Sequence, residues 1–274
     1  MEGGKQKIML FASEVAGLIG KNPYEKPEKC WNTVFQRVVK DGEAVLIENK
    51  IEIAKTDQRI IKEITEKNGV KLSVPSFQTR QYATLADLNQ DKTKILAEIE
   101  ANTKINESDK KKLKKSMESQ LQKDFGTKEE TSITTIAEKL IGKPIEKTNK
   151  FMSKTMFETA NIKWCIGGRV DGKTPDNEIV EIKNRMRRLF YEVKEYELVQ
   201  LMLYLFIHDS NGGYLVEGFK SESKLLSNHD FISFNKEYFD NDIFGKMKER
   251  CELFDKTNGL QNPKFFLDEL KKIS

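Results

Sequence analysis

The chain has 274 residues, 38% of them hydrophobic and 33% charged, with a formal net charge of only +4. This composition supports a folded core beneath a heavily solvated surface, and it excludes disorder or a collagen-like repeat as a description of the whole. The longest apolar candidate, Leu198 to Ile207, falls short of the roughly 18 residues a membrane span needs. The lysine-bearing start from Met1 to Leu10 lacks a secretory apolar run. A soluble intracellular protein without membrane attachment is expected, in the cytoplasm, with the nucleus left open.

In chain order, the spacing predicts a short helix from Phe11 to Ile19 and a turn at Gly20-Lys21-Asn22-Pro23. A second helix starts near Pro27, with Trp31, Val34, Phe35 and Val38 on one face. From Gly42 to Gln122 strand alternation is missing. This stretch is lysine- and glutamate-rich and reads as helical in pieces, broken at Asn68-Gly69 and at Pro75. Residues 104–123 carry seven lysines against Glu107, Asp109 and Glu118, which is first of all the pattern of a solvated helix face.

The pattern changes at Gly126. Ile133, Ile136, Ala137 and Leu140 form the apolar face of a helix ending at Gly142-Lys143-Pro144. Strand-like runs follow at 148–159, 162–170 and 178–183, then a strongly apolar helix over 192–208. After the turn Asn211-Gly212-Gly213 come a strand at 214–219, a short strand at 231–234 and a closing amphipathic helix over 237–254. This order predicts a mixed α/β fold with an antiparallel front.

The residues with chemical potential lie in the second half. In the run Glu178-Ile179-Val180-Glu181-Ile182-Lys183, alternation puts Val180 and Ile182 on one face and Glu181 and Lys183 on the other. Asp171 closes the preceding strand, and a hairpin through Pro175 brings it beside Glu181. Two carboxylates that close raise each other's pKa unless a cation sits between them, and Mg²⁺ fits because it takes one or two carboxylates with water and phosphate. An ordinary cross-strand ion pair is the competing reading of the same residues. Cys30, Cys165 and Cys251 are too scattered for a disulfide framework, and with only His208 and His229 a histidine-built zinc site is not expected.

In the apolar helix, Gln200 and Tyr204 stand one turn apart. A buried amide left unpaired costs about 1–3 kcal/mol, so Gln200 needs partners. Glu130, after Phe125-Gly126, is expected on a first helical turn, either as a third carboxylate or as an acid answering the helix dipole. Arg185, Arg187 and Arg188 follow the strand, where they could grip a phosphate backbone or form a solvated loop.

These residues carry a resemblance. Gly126 to Glu130, Asp171 after a strand, Glu181-x-Lys183 and Gln200-x-x-x-Tyr204 occur in the order of the PD-(D/E)xK nucleases. The early Ala12-Ser13-Glu14-Val15-Ala16 and Ile19-Gly20-Lys21-Asn22-Pro23-Tyr24 resemble the YqaJ-type viral recombinase branch, to which phage lambda exonuclease is related. The likeness covers residues 8–40 and 125 to about 257. Val170 precedes Asp171 where the family often has proline.

The resemblance implies a restriction-endonuclease-like core, a central mixed sheet flanked by helices with a helical N-terminal region and insertion. It further implies a Mg²⁺- or Mn²⁺-dependent exonuclease acting from 5′ to 3′ on linear duplex DNA in recombination or repair. An endonuclease of the same fold, or a DNA-binding recombination protein with a vestigial site, are the alternatives. By position, Asp171, Glu181, Glu130 and the carbonyl of Ile182 would hold the metal, and Lys183 would orient or deprotonate the attacking water. Ser13, Gln200, Tyr204, Arg169, Arg185, Arg187 and Arg188 are the candidates for DNA or a terminal 5′-phosphate. The expected organisation is an N-terminal part at 1–42, a helical insertion at 43–122 and a catalytic core at 123–274. Expected partners are a DNA end and a single-strand annealing protein, with a monomer or homotrimer as the assembly.

Overall fold

Alternation of side chains sets up the first strand, β1 (Gln6–Phe11), in which Ile8 and Leu10 are buried while Gln6 and Lys7 are exposed. It runs parallel to β4 (Ile162–Gly168), which pairs antiparallel with β3 (Met152–Glu158), giving the sheet order β1-β4-β3. The computed structural model describes residues 5–72, 85–185, 187–221 and 224–273, without the side chains at 85, 124–132, 220, 221 and 224.

Past Gly168 the chain continues through Arg169, Val170 and Asp171 and pairs again as β5 (Gly172–Lys173). This strand belongs to a second sheet of order β2-β5-β6-β7-β8, with β2 (Glu146–Lys147), β6 (Ile179–Arg185), β7 (Gly212–Ser221) and β8 (Lys224–Ser233). β6 and β7 are parallel, joined by the crossover helix α7 (Glu195–His208), whereas β5–β6 and β7–β8 are antiparallel. The mixed α/β class read from the sequence is therefore the observed one, with its strands divided between two sheets.

Helices cover both faces. α1 (Ala12–Leu18) packs on α7, and α2 (Pro27–Val38) sends Trp31 into a ring cluster with Trp164, Phe254 and Phe266. Phe254 comes from α9 (Lys246–Lys256), which follows α8 (Lys236–Tyr238) and a π-helical segment, Phe239–Gly245. Phe266 comes from α10 (Pro263–Ile273). Stacked and edge-on aromatic pairs contribute about 0.5–1.5 kcal/mol each beyond their buried area, which helps anchor α10, a helix the sequence reading did not contain.

Residues 42–121 build α3 (Gly42–Glu48), α4 (Asp57–Asn68), α5 (Leu85–Ala101) and the first part of α6 (Glu107–Ile141). Ile61, Ile64, Leu88, Ile95, Ile99, Leu113, Met117 and Leu121 form a core of their own. α4 stops at Gly69 and α6 at Gly142, both with positive φ, where glycine escapes the Cβ clash. Pro75 lies outside the described residues.

Three differences from the sequence reading have physical causes. β1 was not foreseen, because Met9 beside Ile8 and Leu10 blurs the alternation and the strand is fixed by pairing with β4. β8 spans ten residues instead of four, because Lys224-Leu225-Leu226-Ser227-Asn228 carries little strand propensity and is held by its ladder to β7. α6 runs unbroken through Gly126: a glycine there costs about 1 kcal/mol, but Leu121 on one side and Ile133 on the other are both locked into cores. Glu130 thus lies in the interior of α6, far from its first turn, and its side chain lies outside the described residues. Among the described residues, no helix is long and apolar enough to cross a membrane.

Candidate active site

β6 divides its side chains as the sequence alternation requires. Val180 and Ile182 pack with Ile133 and Ala137 of α6 and with Val216 of β7. Glu181, Lys183 and Arg185 face the other way, toward α7, which presents Glu197, Gln200 and Tyr204 to them. Because α7 runs antiparallel to β6, each step up the strand meets a residue one turn earlier on the helix.

At the lower step, Lys183 Nζ donates to Glu181 Oε1 at 2.8 Å and to Gln200 Oε1 at 3.0 Å. Gln200 Nε2 donates to Glu181 Oε1 at 3.0 Å and to the Tyr204 hydroxyl at 3.1 Å. Tyr204 fits because Gly168 lies beneath it: a Cβ at that position would stand 2.6 Å from the Tyr204 ring. Asp171 reaches in from between β4 and β5, and its Oδ2 accepts the Ile182 backbone N–H at 2.7 Å.

One atom of this group is left over. Glu181 is 5% exposed, yet its Oε2 is buried and accepts no hydrogen bond. Burial pushes the Glu181 carboxyl up to about 7, with Lys183 opposing and Asp171 adding to the shift. Burial raises Asp171 as well, against the Ile182 N–H and the nearby lysines. When both acids are ionised, two carboxylates and one ammonium leave a net negative charge in a poorly solvated place, and an orphaned carboxylate oxygen there is costly. A hard divalent cation that takes oxygen ligands answers both the charge and the unused lone pairs of Glu181 Oε2, so Asp171 and Glu181 fit such an ion. Among the described residues, no set of three or more His, Cys, Asp or Glu side chains gathers for a metal.

At the upper step stands a different cluster. Arg185 was a candidate for gripping DNA, but its side chain is only 9% exposed and turns inward. Its Nη1 and Nη2 donate to Glu197 at 2.6 and 2.8 Å, and its Nε donates to Glu217 Oε1 at 2.6 Å. Two buried acids outbid solvent for a planar guanidinium fork. Glu197 and Glu217 were missed by the sequence reading. The available signal was a lone acid, Glu217, inside the otherwise apolar run Tyr214 to Phe219; Glu197 shares the acidic first turn of α7 with Glu195 and carried none.

The remaining candidates are less tightly placed. Arg187 and Arg188 are exposed beyond the end of β6, and Arg169 is exposed just past β4. Ser13 is exposed on the first turn of α1, and because β1 and β4 are parallel it lies at the sheet end that carries Asp171. It does not cap that helix. Glu14 Oε1 instead accepts the Phe11 N–H at 2.9 Å.

No protein family matches the chain by sequence profile, and no curated protein matches it by sequence. Solved structures show loose similarities. An alkaline exonuclease from Laribacter hongkongensis is 11% identical over 71% of this chain and 90% of its own, with a TM-score of 0.37. The same enzyme in complex with dAMP is 9% identical over 72% and 90%, at 0.35. A phage-related exonuclease from Haemophilus somnus 129PT is 11% identical over 99% and 98%, at 0.34. At these identities and scores the likeness assigns neither a family nor an activity.

Proposed function

We propose that the chain is a metal-dependent deoxyribonuclease that digests linear duplex DNA from its end, with 5′-to-3′ polarity, in recombination or repair. The observation that carries this reading is the buried, unpartnered Oε2 of Glu181 beside Asp171, with Lys183 fixed on the same acid. Asp171, Glu181 and the Ile182 carbonyl are the groups that would hold Mg²⁺ or Mn²⁺, with Glu130 as the further acid supplied by α6. When bound, such an ion supplies Lewis-acid polarisation of a phosphoryl oxygen and lowers the pKa of water.

The chain's own residues have distinct tasks. Lys183 presents an ammonium, held in place from two sides, that can orient the attacking water and balance the charge growing on the phosphoryl oxygens. Gln200 holds that lysine: its carbonyl accepts from Lys183 while its amide donates to Glu181 and Tyr204, which fixes the amide's orientation and the lysine's direction together. Asp171 accepts the Ile182 N–H, which ties the turn before β5 to the middle of β6. Burial under α7 keeps bulk water away and strengthens each of these interactions.

The test is digestion of end-labelled linear DNA beside a closed circle, with Mg²⁺ or EDTA. Wild type with Mg²⁺ is expected to degrade the linear form from the 5′ end and spare the circle, and Asp171→Ala and Lys183→Ala to lose at least about 10²- to 10³-fold in rate. Equal cutting of circles would move the chain to the endonucleases. Undiminished DNA binding without turnover in any metal would make it a binding protein.

A further inference from the structure

The loop from β6 to α7, residues 187–194, is held from beneath by the buried Glu217. Its Oε2 accepts the N–H of Phe190 at 3.1 Å and of Tyr191 at 3.0 Å, while Oε1 accepts from Arg185. Arg185 in turn stacks over the Phe190 ring at 4.1 Å, and Lys194 lies over the same ring at 5.0 Å. A fully buried acid on an interior strand, β7, is thus committed to the backbone of a surface loop.

What that brace supports is Tyr191. Its φ is +58°, a left-handed conformation disfavoured for a bulky side chain. Its ring nevertheless packs little, being 67% exposed. Strained backbone with an exposed aromatic contributes nothing to the core, and strain kept in place by a buried partner marks functional positions. Around Tyr191 the loop carries Arg187, Arg188 and Lys194 against Glu192. A second exposed ring, Tyr24 at 75%, stands edge-on to Tyr196 of the first turn of α7 at 5.8 Å. Arg185 is the next residue after Lys183 on the same strand face, so the loop departs about 7 Å beyond the lysine.

We propose that Tyr191 is a stacking platform for an unpaired base at a DNA end, with Arg187 and Arg188 on the adjoining phosphates. The inference rests on the nuclease reading and adds a substrate class to it: ends with a frayed pair or a single-stranded tail. Every base has a π-face, so an exposed ring takes it without sequence preference, and guanidinium forks suit the flanking phosphates. Glu217 and Arg185 act as positioning residues, through the loop backbone.

The experiment is fluorescence anisotropy in EDTA, with a duplex carrying a short single-stranded tail, and with the same duplex whose tail bases are replaced by abasic sites. Tyr191→Gly removes the ring and relieves the left-handed backbone, so a fold at least as heat-stable as wild type is expected. Loss of stacking should weaken binding of the tailed duplex about 5- to 100-fold in Tyr191→Gly and Tyr191→Ala, while Tyr191→Phe keeps its π-face and its affinity. The abasic tail should bind wild type as weakly as the tailed duplex binds Tyr191→Gly. Equal affinity of wild type and Tyr191→Gly for the tailed duplex, in a protein that still digests linear DNA, overturns the inference and leaves the nuclease reading standing. A wild type that neither binds nor digests DNA overturns both.

Discussion

Two buried charge clusters lie side by side along β6, and they are finished differently. Arg185, Glu197 and Glu217 form a closed set in which the guanidinium meets both acids and Glu217 also accepts two backbone N–H groups. Glu181, Lys183 and Gln200, one step down the same strand face, form an open set in which Glu181 Oε2 has no partner. Burial, strand and covering helix are shared, so the difference lies in what the chain chose to satisfy. The closed set reads as architecture, and the open one is the set on which the proposed function rests. Stability should respond to changes in the first, and activity and pH behaviour to changes in the second.

The largest effect on stability is expected from Arg185→Ala. Removing one member of a buried ionic set strands the others, a loss of about 3–5 kcal/mol. Urea unfolding followed by circular dichroism reads it directly. A loss under about 1 kcal/mol, the range of exposed pairs, would mean that Glu197 and Glu217 find other partners and that the two clusters are not distinct in kind.

A smaller and oppositely directed effect is expected from Glu181→Gln. The native Glu181 carboxyl keeps its proton up to about 7, whereas the unfolded side chain loses it near its ordinary value of 4.5. Between those values the native state binds more protons, so the stability this group contributes is full below 4.5 and is lost as pH rises toward 7 and beyond. His208, which burial pushes down to about 4, acts against this by costing stability as pH falls. The readout is therefore the difference in melting temperature between wild type and Glu181→Gln in EDTA from pH 5 to 8. Wild type should lose ground to the variant as pH rises, and Mg²⁺ should restore it. A difference that is flat with pH would show that the carboxyl is not destabilised by its burial, which removes the contrast with the Arg185 set.

The open cluster was more legible in the sequence than the closed one, for a reason of period. Glu181 and Lys183 alternate with Val180 and Ile182, and Gln200 is a polar interruption in an apolar helix, so each announces its face. Arg185, in contrast, reads like Arg187 and Arg188. Its inward turn depends on Glu217, which faces β6 through strand pairing, and on Glu197, which faces it through helix packing. Neither relation is local. The same limit hid β1 and the continuity of α6, which are fixed by contacts across the fold against weak or contrary local preference. The helices at 57–68 and 107–141 were readable at their glycine ends but not in how they pack together.

That packing supplies the smallest expected effect and the opposite sign of pH dependence. Asp57, at the start of α4, accepts from Ser119 Oγ and Lys123 Nζ of α6, each at 2.7 Å. Burial opposes its charged form, but Lys123 and Ser119 outweigh burial and hold its carboxyl below the ordinary carboxylate range. Such a group contributes stability above its unfolded pKa and loses it as the solution is acidified, the mirror image of Glu181. Lys123 is largely exposed, so Asp57→Asn should cost no more than about 1 kcal/mol at pH 7. That cost should shrink toward pH 3, below the ordinary carboxylate value, where the unfolded side chain has taken up its proton. Urea midpoints of wild type and Asp57→Asn at the two pH values give the comparison. A cost unchanged from pH 7 to pH 3 would show that the Asp57 contact is made by shape and hydrogen bonding, with its charge contributing nothing.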